Sequence, residues 1–376
     1  MNLPPVISWN EDGAARSLRW HSEGGLPPPK RVVLADDGIT ADAAFRLASE
    51  GTALLWRGDF QNARQLLQAL ARRIERRSRK PPAVAAPAEA FHLYRQGQSQ
   101  RARTLGMLLL PFDDDYRIPL RRAPDVQAAC SEAYGPPEGP FVASLRELLG
   151  LIGAHEWRKA GVPVPALDAR IHPHYGVFAP VRGEYVDLVA TAPLPAGCAL
   201  AFDLGTGTGV LAAVLARRGV QRIVATDMDP RALSCAGDNM TRLGLAGRVD
   251  VLAVDLFPPG RAPLVVCNPP WLPARAGTPL ERAVYDPGSR MLLGFIEGLA
   301  AHLEPDGEGW LVLSDLAEHL GLRSRDELLA AIDRGALKVV GRLDAKPRHP
   351  RAADPADPLH AARAAESTSL WRLALR

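Results

Sequence analysis

Three glycines at alternate positions close the run Ala199-Leu-Ala-Phe-Asp203-Leu-Gly205-Thr206-Gly207-Thr-Gly209-Val. Such spacing lets a chain leaving an apolar strand turn sharply and press its backbone against a ligand. The helix expected from Val210 to Arg218 then offers its unpaired first amides to an electron-rich group. Asp203, at the strand end, is placed to meet a cationic amino group directly or through water. The next β-rich run ends in Ala225-Thr-Asp227-Met228-Asp229-Pro230, which sets a carboxylate beside the glycine turn to accept from ribose hydroxyls. Asp227 is the ligand candidate, because Asp229 precedes a proline and a helical pattern from Arg231 to Leu243 and so reads as a helix cap. A third run ends in Asp255-Leu256-Phe257, where the carboxylate can accept from an adenine amine. Acids at successive strand ends around a glycine turn suit an adenosyl ligand.

A fourth apolar run, Leu264-Val-Val-Cys267, ends in Asn268-Pro269-Pro270-Trp271. An amide or exocyclic amine is a poor nucleophile because its lone pair is delocalised. Acceptors that hold its N–H groups favour a pyramidal, electron-rich nitrogen. Asn268 can supply a side-chain carbonyl and Pro269 a backbone carbonyl, while the prolines stiffen the turn and Trp271 offers a face for stacking. With DLGTGTG, TD, DLF and NPPW in this order, the stretch from about 171 to 376 resembles class I methyltransferases of the NPPY/NPPF/NPPW group. That group includes release-factor and ribosomal-protein glutamine methyltransferases and base N-methyltransferases. The resemblance implies S-adenosylmethionine as cofactor, held by Asp203, Gly205, Thr206, Gly207, Gly209, Asp227, Met228, Asp255, Leu256 and Asn268. It implies transfer of methyl to a planar nitrogen at Asn268, Pro269, Pro270 and Trp271. The group more often carries tyrosine or phenylalanine where this chain has Trp271. Upstream, the segment from Tyr175 to Glu184 looks like the one that covers the cofactor in glutamine methyltransferases, with Arg182 and Glu184 following Pro180. Because a sulfonium methyl is already activated, the chemistry is mostly alignment and calls for no metal.

Positioning such groups requires a parallel sheet. From about residue 171 short β-rich runs alternate with helical stretches, the pattern of a doubly wound α/β domain. Strands are expected at Ala199 to Asp203, Arg222 to Thr226, Val249 to Val254, Leu264 to Cys267, Trp310 to Ser314, Leu337 to Arg342 and Ser369 to Leu375. That makes a seven-stranded Rossmann-like sheet with the last strand antiparallel. Residues 1–165 are broken by proline clusters at Pro27 to Pro29, Pro81 to Pro87 and Pro136 to Pro140. Helices are expected from Asp59 onward and from Phe141 to Lys159, with a short strand at Arg31 to Leu34. This predicts a mainly helical N-terminal domain that selects the substrate, joined to a methyltransferase domain at 171–376.

Composition fits a globular protein: 47% hydrophobic, 23% charged and a formal charge of +3, too small to demand a nucleic-acid partner. Cys130, Cys198, Cys235 and Cys267 show neither paired nor zinc-ligand spacing, which suggests reduced thiols in the cytoplasm. No leader or membrane-spanning segment is expected. The basic run from Arg72 to Lys80 reads first as a solvated helix end and second as an RNA contact. His172 and His174 read as surface or cofactor-lid residues rather than metal ligands. The loop holding Lys346, Arg348, His349 and Arg351 should emerge on the ligand-binding face. The leading expectation is a macromolecular substrate, RNA or a translation-related protein. The N-terminal segment, longer than the short bundle of release-factor enzymes, favours RNA or an unassigned target. A small-molecule methyltransferase and a nicotinamide-dependent oxidoreductase are the alternatives. The latter has no use for Asn268 to Trp271 and expects glycines spaced GxGxxG.

Overall fold

Residues 4–77, 86–277, 280–348 and 354–376 are described by a computed structural model. The chain divides into two units, Met1–Val84 with His92–Glu156, and Ala85–Phe91 with Trp157–Arg376. In chain order the first part runs β1 (Val6–Glu11), β2 (Ala14–Trp20), β3 (Arg31–Ala35), α1 (Ala41–Ser49), β4 (Thr52–Trp56), α2 (Phe60–Arg77), α3 (Pro87–Gly106), β5 (Leu108–Phe112), α4 (Gln127–Tyr134), β6 (Phe141–Ser144) and α5 (Leu145–Ala160).

The first unit carries more sheet than the one or two short strands expected beside its helices. Its centre is a mixed six-stranded sheet in the order β1-β2-β6-β5-β4-β3. Every residue of β4 and β5 is buried. Leu54, Trp56, Leu108, Leu110 and Phe112 pack with α1 and α2 on one face, and Ala53, Leu55 and Leu109 pack with Ile7, Trp9 and Trp20 on the other. Five-residue apolar runs are too short to fold back as helices and long enough to cross a sheet. The helix expected from Phe141 starts only at Leu145, because Phe141 to Ser144 pair with β5 and β2. Asp59 does begin α2, accepting from the Gln61 amide at 2.8 Å. Its other oxygen takes the guanidinium groups of Arg122 and Arg121, which hold the carboxyl well below the usual range. Of the basic run that closes α2, Arg73 pairs with Asp42, and 78–80 lie outside the described residues.

The second unit continues β7 (Val162–Val164), β8 (Ala169–Ile171), α6 (Glu184–Thr191), β9 (Leu200–Leu204), α7 (Val210–Arg217), β10 (Arg222–Asp227), α8 (Pro230–Arg242), β11 (Val249–Ala253), β12 (Ala262–Cys267), α9 (Arg290–His302), β13 (Leu303–Ser314), α10 (Leu316–His319), α11 (Arg325–Arg334), β14 (Leu337–Ala345), α12 (His360–Ala365) and β15 (Thr368–Leu375). Its sheet has the order β11-β10-β9-β12-β13-β15-β14. The strands β9 to β13 are parallel, and β15 runs antiparallel to both of its neighbours. Side chains alternate across the sheet, as period two requires. Ala201, Ile223, Val266 and Val312 pack with α6 and α7, while Phe202, Val224, Val265 and Leu313 pack with α9 and α11.

Successive strands step from β9 outward to β10 and β11, and then restart on the other side with β12 and β13. The order therefore reverses between β9 and β12, which in open α/β sheets opens a crevice beyond the carboxyl ends of the two strands. Cys267 lies opposite Leu204 in that pair. The next residues, Asn268 and Gly205, accordingly leave the sheet side by side.

Candidate active site

The glycine turn is built as its spacing requires. Gly205, Gly207 and Gly209 have φ of +68°, +56° and +80°, the left-handed region that side chains disfavour. A Cβ on Gly205 would collide with Met291 Cε, whereas one on Gly207 would meet nothing within 4 Å. One flank of the loop is thus packed against α9 and the other is open.

Asp203 is 1% exposed and turns beneath the loop. One oxygen accepts from the Thr206 hydroxyl at 2.6 Å and from the Ala212 amide at 3.1 Å. It binds the strand end to the loop and to the first turn of α7. Burial pushes its pKa up to about 6, assisted by the charge of Asp227 and opposed by the two donors. A folded-state value above the unfolded value of about 3.9 means that the folded protein holds this proton more tightly. The associated stability is fully present below about pH 4 and lost as pH rises through about 6, to about 3 kcal/mol. Urea unfolding of wild type and Asp203→Asn between pH 4 and 7 should show this decline in wild type only. Parallel pH profiles for the two proteins would count against it.

Asp227 stands at the end of β10. Its oxygens accept from the Gly207 amide at 3.0 Å and the Asp229 amide at 2.9 Å, so the acid of one strand shapes the turn after its neighbour. Each oxygen keeps a further acceptor lone pair. Asp229 is the cap of α8, accepting from the Arg231 amide at 2.8 Å, with Pro230 in the first helical position. Met228 beside it is 63% exposed. Asp255 is half-exposed and ion-paired with Arg290, a partner on α9 that no short-range pattern pointed to. Leu256 has φ of +64°, and its carbonyl accepts from Thr226 Oγ1 at 2.6 Å.

Across the crevice Pro269 is buried, while Asn268, Pro270 and Trp271 are partly exposed. The Trp271 indole N–H donates to Asn268 Oδ1 at 2.9 Å. The Arg182 guanidinium lies 5.8 Å from the Trp271 ring centroid and donates to Glu366 Oε1 at 3.2 Å. Leu272 then bridges to Tyr285, and Asp286 accepts from the Met291 amide at 2.8 Å, starting α9.

Other expected residues serve packing. His172 and His174 bind Arg158 O and Asp238, and their amides donate to Asn239 and Cys235 of α8. Among the described residues no cluster has the composition of a metal site. Glu184 is 3% exposed and accepts from the Arg348 amide at 2.9 Å. Arg348 also pairs with Asp187, and Lys346 donates to Ala365 O. His349 and Arg351 lie outside the described residues. No helix among those residues is long and apolar enough to cross a membrane.

The switch point of the parallel sheet is thus flanked by a glycine turn, an acid on the neighbouring strand and an Asn-Pro-Pro turn. Residues 170–328 match the model of the methyltransferase small domain. Over 69 residues it is 49% identical to the ribosomal protein L11 methyltransferase of Pelotomaculum thermopropionicum, covering 18% of this chain and 22% of that relative. Over 123 residues it is 35% identical to the release factor glutamine methyltransferase of Cereibacter sphaeroides, covering 29% of this chain and 44% of that relative. The chain thus spans less than half the length of these curated relatives. A ribosomal protein L11 methylase of Lactobacillus delbrueckii subsp. bulgaricus superposes with TM-score 0.37 at 17% identity, over 56% of this chain and 87% of that one.

Proposed function

We propose that the second unit transfers methyl from S-adenosylmethionine to a planar nitrogen of a macromolecule, a glutamine amide of a translation protein or a base amine of RNA. The observation that carries this reading is the pairing of Leu204 with Cys267, which brings the cofactor turn and Asn268 to one crevice. The residues present fit the cofactor. Left-handed glycines leave one flank of the loop open at Gly207, and Asp227 and Asp255 stand at the ends of the next strands to receive hydroxyls and an amine. Asp203 acts through the loop it holds. When bound, the cofactor supplies a sulfonium methyl electrophile.

The chain's own residues then prepare the nucleophile. Asn268 Oδ1 and the Pro269 carbonyl accept the N–H groups of the acceptor, withdrawing its lone pair from conjugation. The proline turn fixes both oxygens beforehand, so little reorganisation remains for the transfer. The names of the two relatives support a translation protein as acceptor. The separate six-stranded unit supports a chain that recognises more than a small molecule.

Calorimetry should show binding of S-adenosylmethionine and none of NAD at the same concentration; tighter binding of NAD would overturn the reading. Tritiated methyl incubated with the full chain and fractionated lysate should enter protein or RNA. Label confined to small molecules would move the assignment to a small-molecule enzyme.

A further inference from the structure

The indole bond to Asn268 has a consequence for catalysis. A side-chain amide can sit in its site two ways, related by exchange of oxygen and nitrogen, and only one presents an acceptor. With Trp271 Nε1 at 2.9 Å, the flipped amide would set N–H against N–H. The indole therefore excludes the incompetent orientation. It uses one lone pair of Oδ1 and leaves the other for the methyl acceptor. A phenyl or phenol ring has no N–H at that point, so tryptophan after the prolines is a functional difference and not merely a larger stacking face.

The indole is itself held. The Arg182 guanidinium covers it at 5.8 Å, a cation–π contact. Glu366, fully buried, anchors that arginine at 3.2 Å and also accepts from Ser314 Oγ at 2.7 Å. Ser314 is the last residue of β13, and Glu366 leads into β15. The chain Ser314, Glu366, Arg182, Trp271, Asn268 thus ties the acceptor amide to strands on the far side of β12. We propose that Trp271 is a positioning residue that locks Asn268 in its carbonyl-presenting orientation, with Arg182, anchored on Glu366, holding the indole in place. The inference rests on the methyl-transfer reading and names the part of that site set by this chain's departure from the commoner aromatic residues.

Two measurements on the full chain test it. In the first, the indole ¹H–¹⁵N resonance of Trp271, assigned by its loss in Trp271→Phe, should move upfield by several tenths of a ppm in Asn268→Ala. An unmoved resonance would remove the contact. In the second, Trp271 is replaced by β-(3-benzothienyl)alanine, which keeps the bicyclic shape and substitutes sulfur for N–H. Methyl transfer to the labelled lysate fraction should fall in kcat by about tenfold, the loss of one hydrogen bond's worth of orientation, with KM and S-adenosylmethionine affinity within about twofold. Glu366→Gln should lower kcat in the same sense and by less. Unchanged kcat in the benzothienyl variant, with wild type active, sinks the positioning role and leaves the methyl-transfer reading standing. Absence of transfer by wild type to any fraction sinks that reading, and the positioning role with it.

Discussion

Asn268→Ala should bind S-adenosylmethionine within a few fold of wild type and lose methyl transfer by about a hundredfold or more, the range for removing one preorganised polar group at a reacting centre. The separation follows from which contacts shape which side of the crevice. The glycine turn is held by Asp203 through Thr206 and Ala212 and by Asp227 through the Gly207 amide. None of these involves Asn268. The acceptor side loses its only side-chain carbonyl in the Asn-Pro-Pro turn, and the Trp271 N–H, on a partly exposed ring, turns to water. Calorimetry measures the first quantity and tritium incorporation the second. Turnover near the wild-type rate would mean that nitrogen activation does not depend on this amide.

The second unit was legible because its inner parallel strands, buried on both faces, read as short apolar runs, and its loops carry glycine and proline where turns demand them. Each expected strand lies within about three residues of its place except β13, which starts at Leu303 and not at Trp310. In the first unit the same rules misled. Its strands β4 and β5 are five residues long and buried throughout, so they show no alternation. In β1 only Ile7 and Trp9 mark the inward face, and β2 is mostly exposed. Long amphipathic stretches such as α2 dominated the reading, although they cover a sheet.

At the site, residue types and strand ends were readable, but roles set by contacts distant in sequence were not. Asp203 stood at the right strand end, yet its burial comes from Thr206 and α7 folding over it. Arg182 was expected to help cover the cofactor; what no local pattern showed is that its guanidinium lies over Trp271 and donates to Glu366, 184 residues away. The Asp255 pair with Arg290 likewise spans 35 residues.

The glycines of the turn should separate ligand effects from folding effects. Gly207→Val adds its Cβ where no atom lies within 4 Å at φ +56°, so the fold bears chiefly the left-handed backbone cost, about 1–2 kcal/mol and more for a branched side chain. The added bulk occupies the open flank of the loop, and S-adenosylmethionine affinity should fall by tenfold or more, about 1.4 kcal/mol or greater. Gly209→Ala does the reverse. At φ +80° its Cβ would stand 2.8 Å from Met240 Cε and 3.4 Å from the Ala236 backbone, so the change pushes on α8. Overpacking of about 1–3 kcal/mol then adds to the backbone cost. Thermal unfolding should show a loss of Tm in both variants, while calorimetry shows the larger affinity loss in Gly207→Val. Wild-type affinity in a well-folded Gly207→Val protein would place the cofactor off the open flank, and with it the crevice between β9 and β12 would lose its ligand.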